Sequence, residues 1–347
     1  MTPPATLAAA TEDAVRRPDM TTVPASLADA ARLLRAEGVP VPPLEGKLLR
    51  PLVAYALVPP SKRASLDQRF WLGALAVQMV HEASLLHDDI LDDAAERRGE
   101  ATVVASEGVG PALVLGDHYL TGAYRAAAMA EAPDFLRCFI RAVERTVAGE
   151  VAQERSAGRR LSRAEYDAVV AGKSGELFGA ATCLGGALLG CAEHDARVAL
   201  GRDLGSLYQQ VDDLLDYCPV ADTGKPPLQD YRQGKWTWVL DVAGVEDFGL
   251  SSDDLLAVLF GGAAHKPSPA RRALAELRWR RDSLVARASK LSPGDEVVAR
   301  VLDAWVQAAE RGVEVQEASV RPPRRLAGPT REVEVVRAAL EVGGPQE

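Results

Sequence analysis

Two acidic clusters are the residues of this sequence best suited to chemistry. Asp88, Asp89 and Asp92 stand in the stretch HEASLLHDDILDD, and Asp212, Asp213 and Asp216 in QQVDDLLD. In each, an adjacent pair of aspartates is followed by a third that lies four residues after the first. On a helix of ~3.6 residues per turn, positions i and i+4 share one face, and like charges there repel. A cation held among them removes that penalty. The donors are hard carboxylate oxygens with no companion Cys or His cluster, which suits Mg²⁺, an ion that commonly bridges to substrate phosphates. The pattern occurs twice, each time inside an apolar helical run. That argues against a solvated surface face and for two clusters opposed across a cavity.

Several basic residues have the spacing to serve the same site. Lys47 and Arg50 lie three apart near the start of a predicted helix over 45–57, where cations oppose the macrodipole unless an anion is bound there. Arg97, Arg98 and Gly99 follow the first cluster, and planar guanidinium forks suit carboxylate or phosphate. Lys173 and Ser174 sit in the apolar centre of a predicted helix, among Ala171, Gly172 and Gly175. A lysine there is costly unless it is paired or faces a polar cavity. Gln209 precedes Asp212 by about one turn, and Glu150 and Gln153 share helical spacing upstream. Two Gly-Lys pairs, ending at Lys225 and Lys235, resemble a phosphate-gripping flap.

The elements that must position these groups are helices. Apolar periodicity predicts them over 26–37, 45–57, 66–93, 110–131, 134–157, 162–190 and 195–217, with weaker ones over 251–262, 268–290 and 294–318. Strand-like alternation with turn signals is absent, so the fold class is all-α. Residues 1–24 read as a mobile leader, 25–320 as the helical domain and 321–347 as a tail. A net charge of −9 argues against a nucleic-acid surface. No stretch approaches the roughly 18 apolar residues of a membrane span. The cysteines Cys138, Cys183, Cys191 and Cys218 form no CxxC pair and read as reduced core thiols of a cytoplasmic protein.

Taken together, six separated motifs resemble the trans-isoprenyl diphosphate (polyprenyl) synthases over roughly Gly46 to Leu240. They are GKLLRP from Gly46, His81 ahead of the first DDxxD, Arg97-Arg98-Gly99, Lys173-Ser174, Gln209 with the second DDxxD, and the Gly-Lys loops. The resemblance implies a bundle of long helices around a deep central cavity, as a homodimer. It implies that Asp88, Asp89, Asp92, Asp212, Asp213 and Asp216 hold Mg²⁺ on the diphosphate of an allylic substrate. Arg97, Lys173, Lys225 and Lys235 would grip that diphosphate, with Ser174 and Gln209 beside it. Lys47, Arg50, His81 and Arg98 would bind isopentenyl diphosphate.

In this family, aromatic residues four and five positions ahead of the first DDxxD stop chain growth. Here those positions hold Ala83 and Ser84, which implies a geranylgeranyl or longer product unless Tyr119 and Tyr124 floor the cavity lower down. Ser174 replaces the usual Thr, and Trp236 and Trp238 depart from smaller residues, as ordinary packing or as a cap. A class I terpene cyclase and a heteromeric-synthase subunit are the nearest alternatives. The intact second cluster and the isopentenyl-site cations favour elongation over both, and over a scaffold protein with a merely acidic face.

Overall fold

The computed structural model describes residues 22–44, 46–97, 99–218, 228–262 and 266–320. Besides two short helices, Pro60–Arg63 and Val103–Glu107, the helices in chain order are α1 (Thr22–Ala36), α2 (Leu49–Ala56), α3 (Gln68–Leu91), α4 (Val109–Met129), α5 (Pro133–Arg155), α6 (Arg163–Val170), α7 (Glu176–Leu189), α8 (His194–Asp216), α9 (Gln229–Arg232), α10 (Trp238–Ala243), α11 (Ser252–Phe260), α12 (Pro269–Leu291) and α13 (Val297–Ser319). A π-helical turn, Ala171–Gly175, joins α6 to α7. The fold is all-α. Two antiparallel rungs, β1 (Glu96–Arg97) and β2 (Glu100–Ala101), are the extended exception, and they frame the turn at Gly99.

Apolar content decides what lies at the centre. Every residue of α3 from Phe70 to Val80 is buried. A helix apolar on all faces is stable only when surrounded, and α1, α2, α4 and α7 all pack against it. Asp67 caps its start, accepting the backbone N–H of Arg69 at 3.0 Å and of Phe70 at 3.4 Å. From His81 onward the burial is only partial apart from Ala83 and Asp89. The last turns of α3 thus carry the first acidic cluster out of the core. Helix α8 packs on α7 and α12 and carries the second cluster at its end, where Asp212 and Asp216 are half-buried among buried Leu214, Leu215 and Tyr217. Buried Arg197 of α8 donates to the carbonyls of Leu57, Ala192 and Leu291, tying the ends of α2 and α12 to it.

Three elements differ from the sequence-based expectation. First, α1 begins at Thr22 rather than Ser26. Second, the helix expected over 45–57 starts only at Leu49, because Gly46 and Leu48 take left-handed φ values of 78° and 46°. Lys47 therefore sits in a turn ahead of the helix, not on one helical face with Arg50. Third, the expected helix over 162–190 is interrupted by the π turn around Lys173 and Ser174. Backbones on both sides clamp that turn. A Cβ on Gly149 of α5 would stand 2.5 Å from the Lys173 nitrogen, and one on Gly205 of α8 would stand 2.6 Å from the Ser174 carbonyl. Only glycine allows such approach.

Gly149→Ala and Gly205→Ala should each lower stability by about 1–3 kcal/mol, since a backbone contact cannot yield as a side chain can. The gain of roughly 1 kcal/mol that alanine brings to a helix interior opposes this but is smaller. Urea denaturation measures the balance; unchanged midpoints in both variants would show that the π turn is not clamped.

Candidate active site

The two acidic clusters are laced together by two lysines. Lys173 Nζ donates to Glu150 Oε1 at 2.9 Å and to Gln153 Oε1 at 2.8 Å, and it lies 3.9 Å from Asp88. Its neighbour Ser174 donates to Gln209 Oε1 at 2.7 Å, and Gln209 donates in turn to Asp213 at 2.9 Å. The π turn therefore touches the first cluster through Lys173 and the second through Ser174. Lys235 makes the other link. Its Nζ meets Asp92 Oδ1 at 2.7 Å, while its backbone N–H donates to the Asp230 carbonyl. Asp216 accepts the N–H groups of Gln229 and Asp230 at 3.1 and 3.2 Å, fixing the short helix α9 against α8. The carboxylate rows of α3 and α8 are thus held on opposite sides of one polar space.

Within each cluster the middle aspartate behaves differently from its companions. Asp89 is 4% exposed and receives Arg97 through both Nε, at 2.8 Å, and Nη2, at 2.6 Å. Asp213 is also 4% exposed, with Gln209 on one oxygen and the Tyr166 hydroxyl, at 2.5 Å, on the other. Asp88, Asp92, Asp212 and Asp216 remain half-buried. This follows from helix geometry, since residue i+1 turns about 100° away from the i, i+4 face.

Burial sets the electrostatics. It pulls the Lys173 ammonium down, yet Asp88 and Glu150 outweigh it and hold the group above its ordinary value. Burial pushes Glu150 up against the opposing pull of Lys173. It pushes Asp213 well above the carboxylate range, with Asp230 adding to the effect, and Asp216 up to about 7 for the same two reasons. Asp230 is thus a further acid of the second cluster. It lies in α9, just before Gly234-Lys235, where the sequence drew attention to the lysine alone.

Two of the basic residues expected to bind a second anion, Lys47 and Arg50, stand at the start of α2. Lys47 Nζ stands 5.8 Å from the Tyr208 ring centroid, and the Arg50 guanidinium 5.0 Å from that of Phe178. Arg50 is buried, which draws it down to about 10, and its Nε has no hydrogen-bond partner among the described residues. Half-buried His81 offers its carbonyl to the Ser84 hydroxyl at 2.8 Å. Arg98 and Lys225 lie outside the described residues. Ala83 is buried one turn ahead of the cluster, with Met79 and Ala76 buried further down the helix. The Met79 methyl fills the space beside Gly122 of α4. Tyr124, considered as a floor, lies on the outside of α4 against Phe139. Trp236 and Trp238 are buried packing residues, and Trp238 Nε1 donates to the Gln210 carbonyl at 3.3 Å.

All-oxygen donors fit Mg²⁺, and the described residues build no ready-made cage of three carboxylate, imidazole or thiolate groups around one point. Mg²⁺ needs none, since it keeps several waters and is bound through one or two carboxylates plus phosphates. The fold and site together define the isoprenoid-synthase class.

Comparison with known proteins agrees. The family model described as polyprenyl synthetase matches residues 41–250. The nonaprenyl diphosphate synthase of Mycobacterium tuberculosis is 31% identical over 239 residues, 67% of this chain and 70% of that one. The (2E,6E)-farnesyl diphosphate synthase of Mycobacterium bovis is 30% identical over 241 residues, 62% of this chain and 66% of that one. A solved polyprenyl synthase from Caulobacter crescentus, complexed with calcium and isoprenyl diphosphate, superposes with a TM-score of 0.65 at 24% identity, covering 90% of this chain and 98% of that one. The chain belongs to the polyprenyl synthetase family and is a trans-prenyltransferase.

Asp213 and Asp216 bind protons more tightly folded than unfolded, where an aspartate titrates near 3.9. Between about pH 4 and the folded value of about 7 for Asp216, the native state carries the extra protons, so rising pH costs stability across that window. Thermal melts in EDTA should therefore show a midpoint falling from pH 5 to pH 7, and Asp216→Asn should flatten the slope. An equal slope in the variant would contradict the assignment to Asp216.

Proposed function

We propose that this enzyme condenses isopentenyl diphosphate with an allylic diphosphate to give a longer all-trans prenyl diphosphate. The observation that carries the reading is the pair of carboxylate rows joined by the π turn, with Lys173 and Lys235 on the first row and Ser174 reaching the second through Gln209. Cations interleaved with acids at this density suit a ligand that is itself polyanionic and arrives with divalent metal. Asp88, Asp92, Asp212 and Asp216 are the half-buried carboxylates that would hold Mg²⁺, while Asp89 fixes Arg97 and Asp213 fixes Gln209. Bound there, Mg²⁺ supplies Lewis-acid neutralisation of the diphosphate as it leaves.

The protein's own groups supply the rest. Lys173 and Lys235 exchange their carboxylate partners for diphosphate oxygens, where fixed positive charge stabilises the negative charge that develops as the allylic C–O bond breaks. Arg97, already aligned by Asp89, and Lys225 would join them. Lys47, Arg50, His81 and Arg98 would hold the diphosphate of the isopentenyl nucleophile. The apolar wall of α3 excludes water from the allylic cation. A proton then leaves the new C–C adduct, most simply to the departing diphosphate.

Product length is read from the wall below the cluster. Ala83 is small and buried, Ser84 turns its hydroxyl to its own helix, and neither blocks growth. That supports a geranylgeranyl or longer product. The relatives range from farnesyl to nonaprenyl synthases and leave this to experiment. A class I cyclase, acting on one allylic diphosphate alone, gives no reason for Lys47 and Arg50 to stand together at the start of α2.

Two further features bear on its setting. Exposed Leu113 and Tyr124 of α4 and Ile140, Val147 and Val151 of α5 lie on the outside of the bundle. On α5 they follow a 7, 4 spacing, one apolar stripe that a second copy of the chain would cover as a homodimer. The four cysteines are unpaired, three of them buried, which fits a reducing compartment such as the cytoplasm.

Incubation of the purified protein with isopentenyl diphosphate, each allylic primer and Mg²⁺, followed by mass analysis of the dephosphorylated prenols, tests the reaction. Elongated prenols are expected, and EDTA should abolish them. No elongation with any primer would sink the proposal, and a cyclic hydrocarbon would favour the cyclase. Ala83→Phe should shorten the main product by at least one isoprene unit; an unchanged product would place the chain elsewhere.

A further inference from the structure

The hydrogen bonds of Asp213 leave one buried residue without a role in the reaction as described. Tyr166 is 3% exposed, at the middle of α6, and its hydroxyl ends 2.5 Å from Asp213 Oδ2. Both neighbours of Asp213 donate to it. The Tyr166 O–H serves Oδ2 and the Gln209 NH₂ serves Oδ1 at 2.9 Å. That orients the Gln209 amide. Its oxygen is left facing the Ser174 hydroxyl, which donates to it at 2.7 Å. The chain Tyr166–Asp213–Gln209–Ser174 thus links the α6 core to the π turn that carries Lys173, with donation from both ends converging on Asp213.

We propose that Tyr166 is a positioning residue for prenyl transfer, fixing Asp213 so that Gln209 and Ser174 hold their polar atoms toward the allylic diphosphate. The inference rests on the synthase reading above. Without the hydroxyl, Oδ2 of a buried Asp213 loses its donor. The carboxylate is then free to rotate about χ2 or to turn toward other donors, and the Gln209 amide loses the acceptor that sets its direction. The ring of Tyr166 fills core space on its own account. Removing the oxygen alone separates the two functions.

Tyr166→Phe keeps the ring and removes the donor. The expected result is a kcat lowered about tenfold or more, with the KM for isopentenyl diphosphate within twofold, because Lys47 and Arg50 lie against the rings of Tyr208 and Phe178, whereas Tyr166, Asp213, Gln209 and Ser174 hydrogen-bond to one another. The decisive readout is a double-mutant cycle with Gln209→Ala, a residue that Tyr166 does not contact directly. If Tyr166 acts through Asp213 on Gln209, the second substitution adds little once the first is made, and the double variant falls well short of the product of the two single losses. A merely structural tyrosine would give losses that multiply.

A kcat for Tyr166→Phe within twofold of the parent, or multiplicative losses in the cycle, would overturn the proposal. If Tyr166→Phe does not fold, Asp213→Asn replaces it. That variant presents an NH₂ to the Gln209 amide, and it too should be non-additive with Gln209→Ala; multiplicative losses there again overturn the proposal. The parent enzyme keeps the two claims apart. An inactive parent refutes the synthase reading, whereas an active parent with an indifferent Tyr166 refutes only this inference.

Discussion

Mutual repulsion of carboxylates on opposed helices is the constraint on which the rest of this structure depends. Two unit charges 4 Å apart interact by roughly 4 kcal/mol at an effective dielectric of 20 and by about 1 kcal/mol in water. Gathering several aspartates at the half-buried ends of α3 and α8 is therefore unfavourable unless cations enter. The fold supplies two of them from other parts of the chain. Lys173 reaches Glu150 and the edge of Asp88, and Lys235 reaches Asp92. Where no lysine sits, protons take over, and Asp216 is pushed up to about 7. Each of these partners can be exchanged for a metal-bound polyanion. A site built this way is stable alone and better satisfied when loaded.

Holding that arrangement requires rigidity elsewhere. Helix α3 is buried on all sides through most of its length, so its acidic end is presented from a fixed base. The π turn is gripped through Gly149 and Gly205, which brings Lys173 and Ser174 to opposite rows within two consecutive residues. A π turn inserts one residue into the α-helical repeat and re-aims the side chains around it. An uninterrupted α6–α7 helix would place those two side chains differently.

The chemistry was largely legible in the sequence, because it depends on residue type at short spacing. An i, i+4 pair of aspartates beside a third is visible in eight letters, and a lysine among small apolar residues stands out against its cost of burial. The helical class and most helix limits followed from apolar periodicity. Features decided by contacts between distant parts of the chain were not legible. Nothing in AGKSG announces a π turn; the glycines that permit it lie in α5 and α8. Leucine gives no warning of the left-handed φ at Leu48, so Lys47 was expected on a helix and lies in a turn. Tyr166 reads as a core aromatic until the hydroxyl is seen against Asp213. The two middle aspartates look like their neighbours in sequence, and only helix geometry separates a buried anchor from its half-buried companions.

The central claim is that the two carboxylate rows and their lysines form one receptor for a metal–diphosphate complex, not separate sites. Calorimetric titration of the enzyme with inorganic diphosphate, in EDTA and then in saturating Mg²⁺, tests this most directly. The account predicts that Mg²⁺ tightens diphosphate binding by tenfold or more, about 1.4 kcal/mol. Linkage then requires diphosphate to tighten Mg²⁺ binding by the same factor. Equal diphosphate affinity with and without the metal would contradict it.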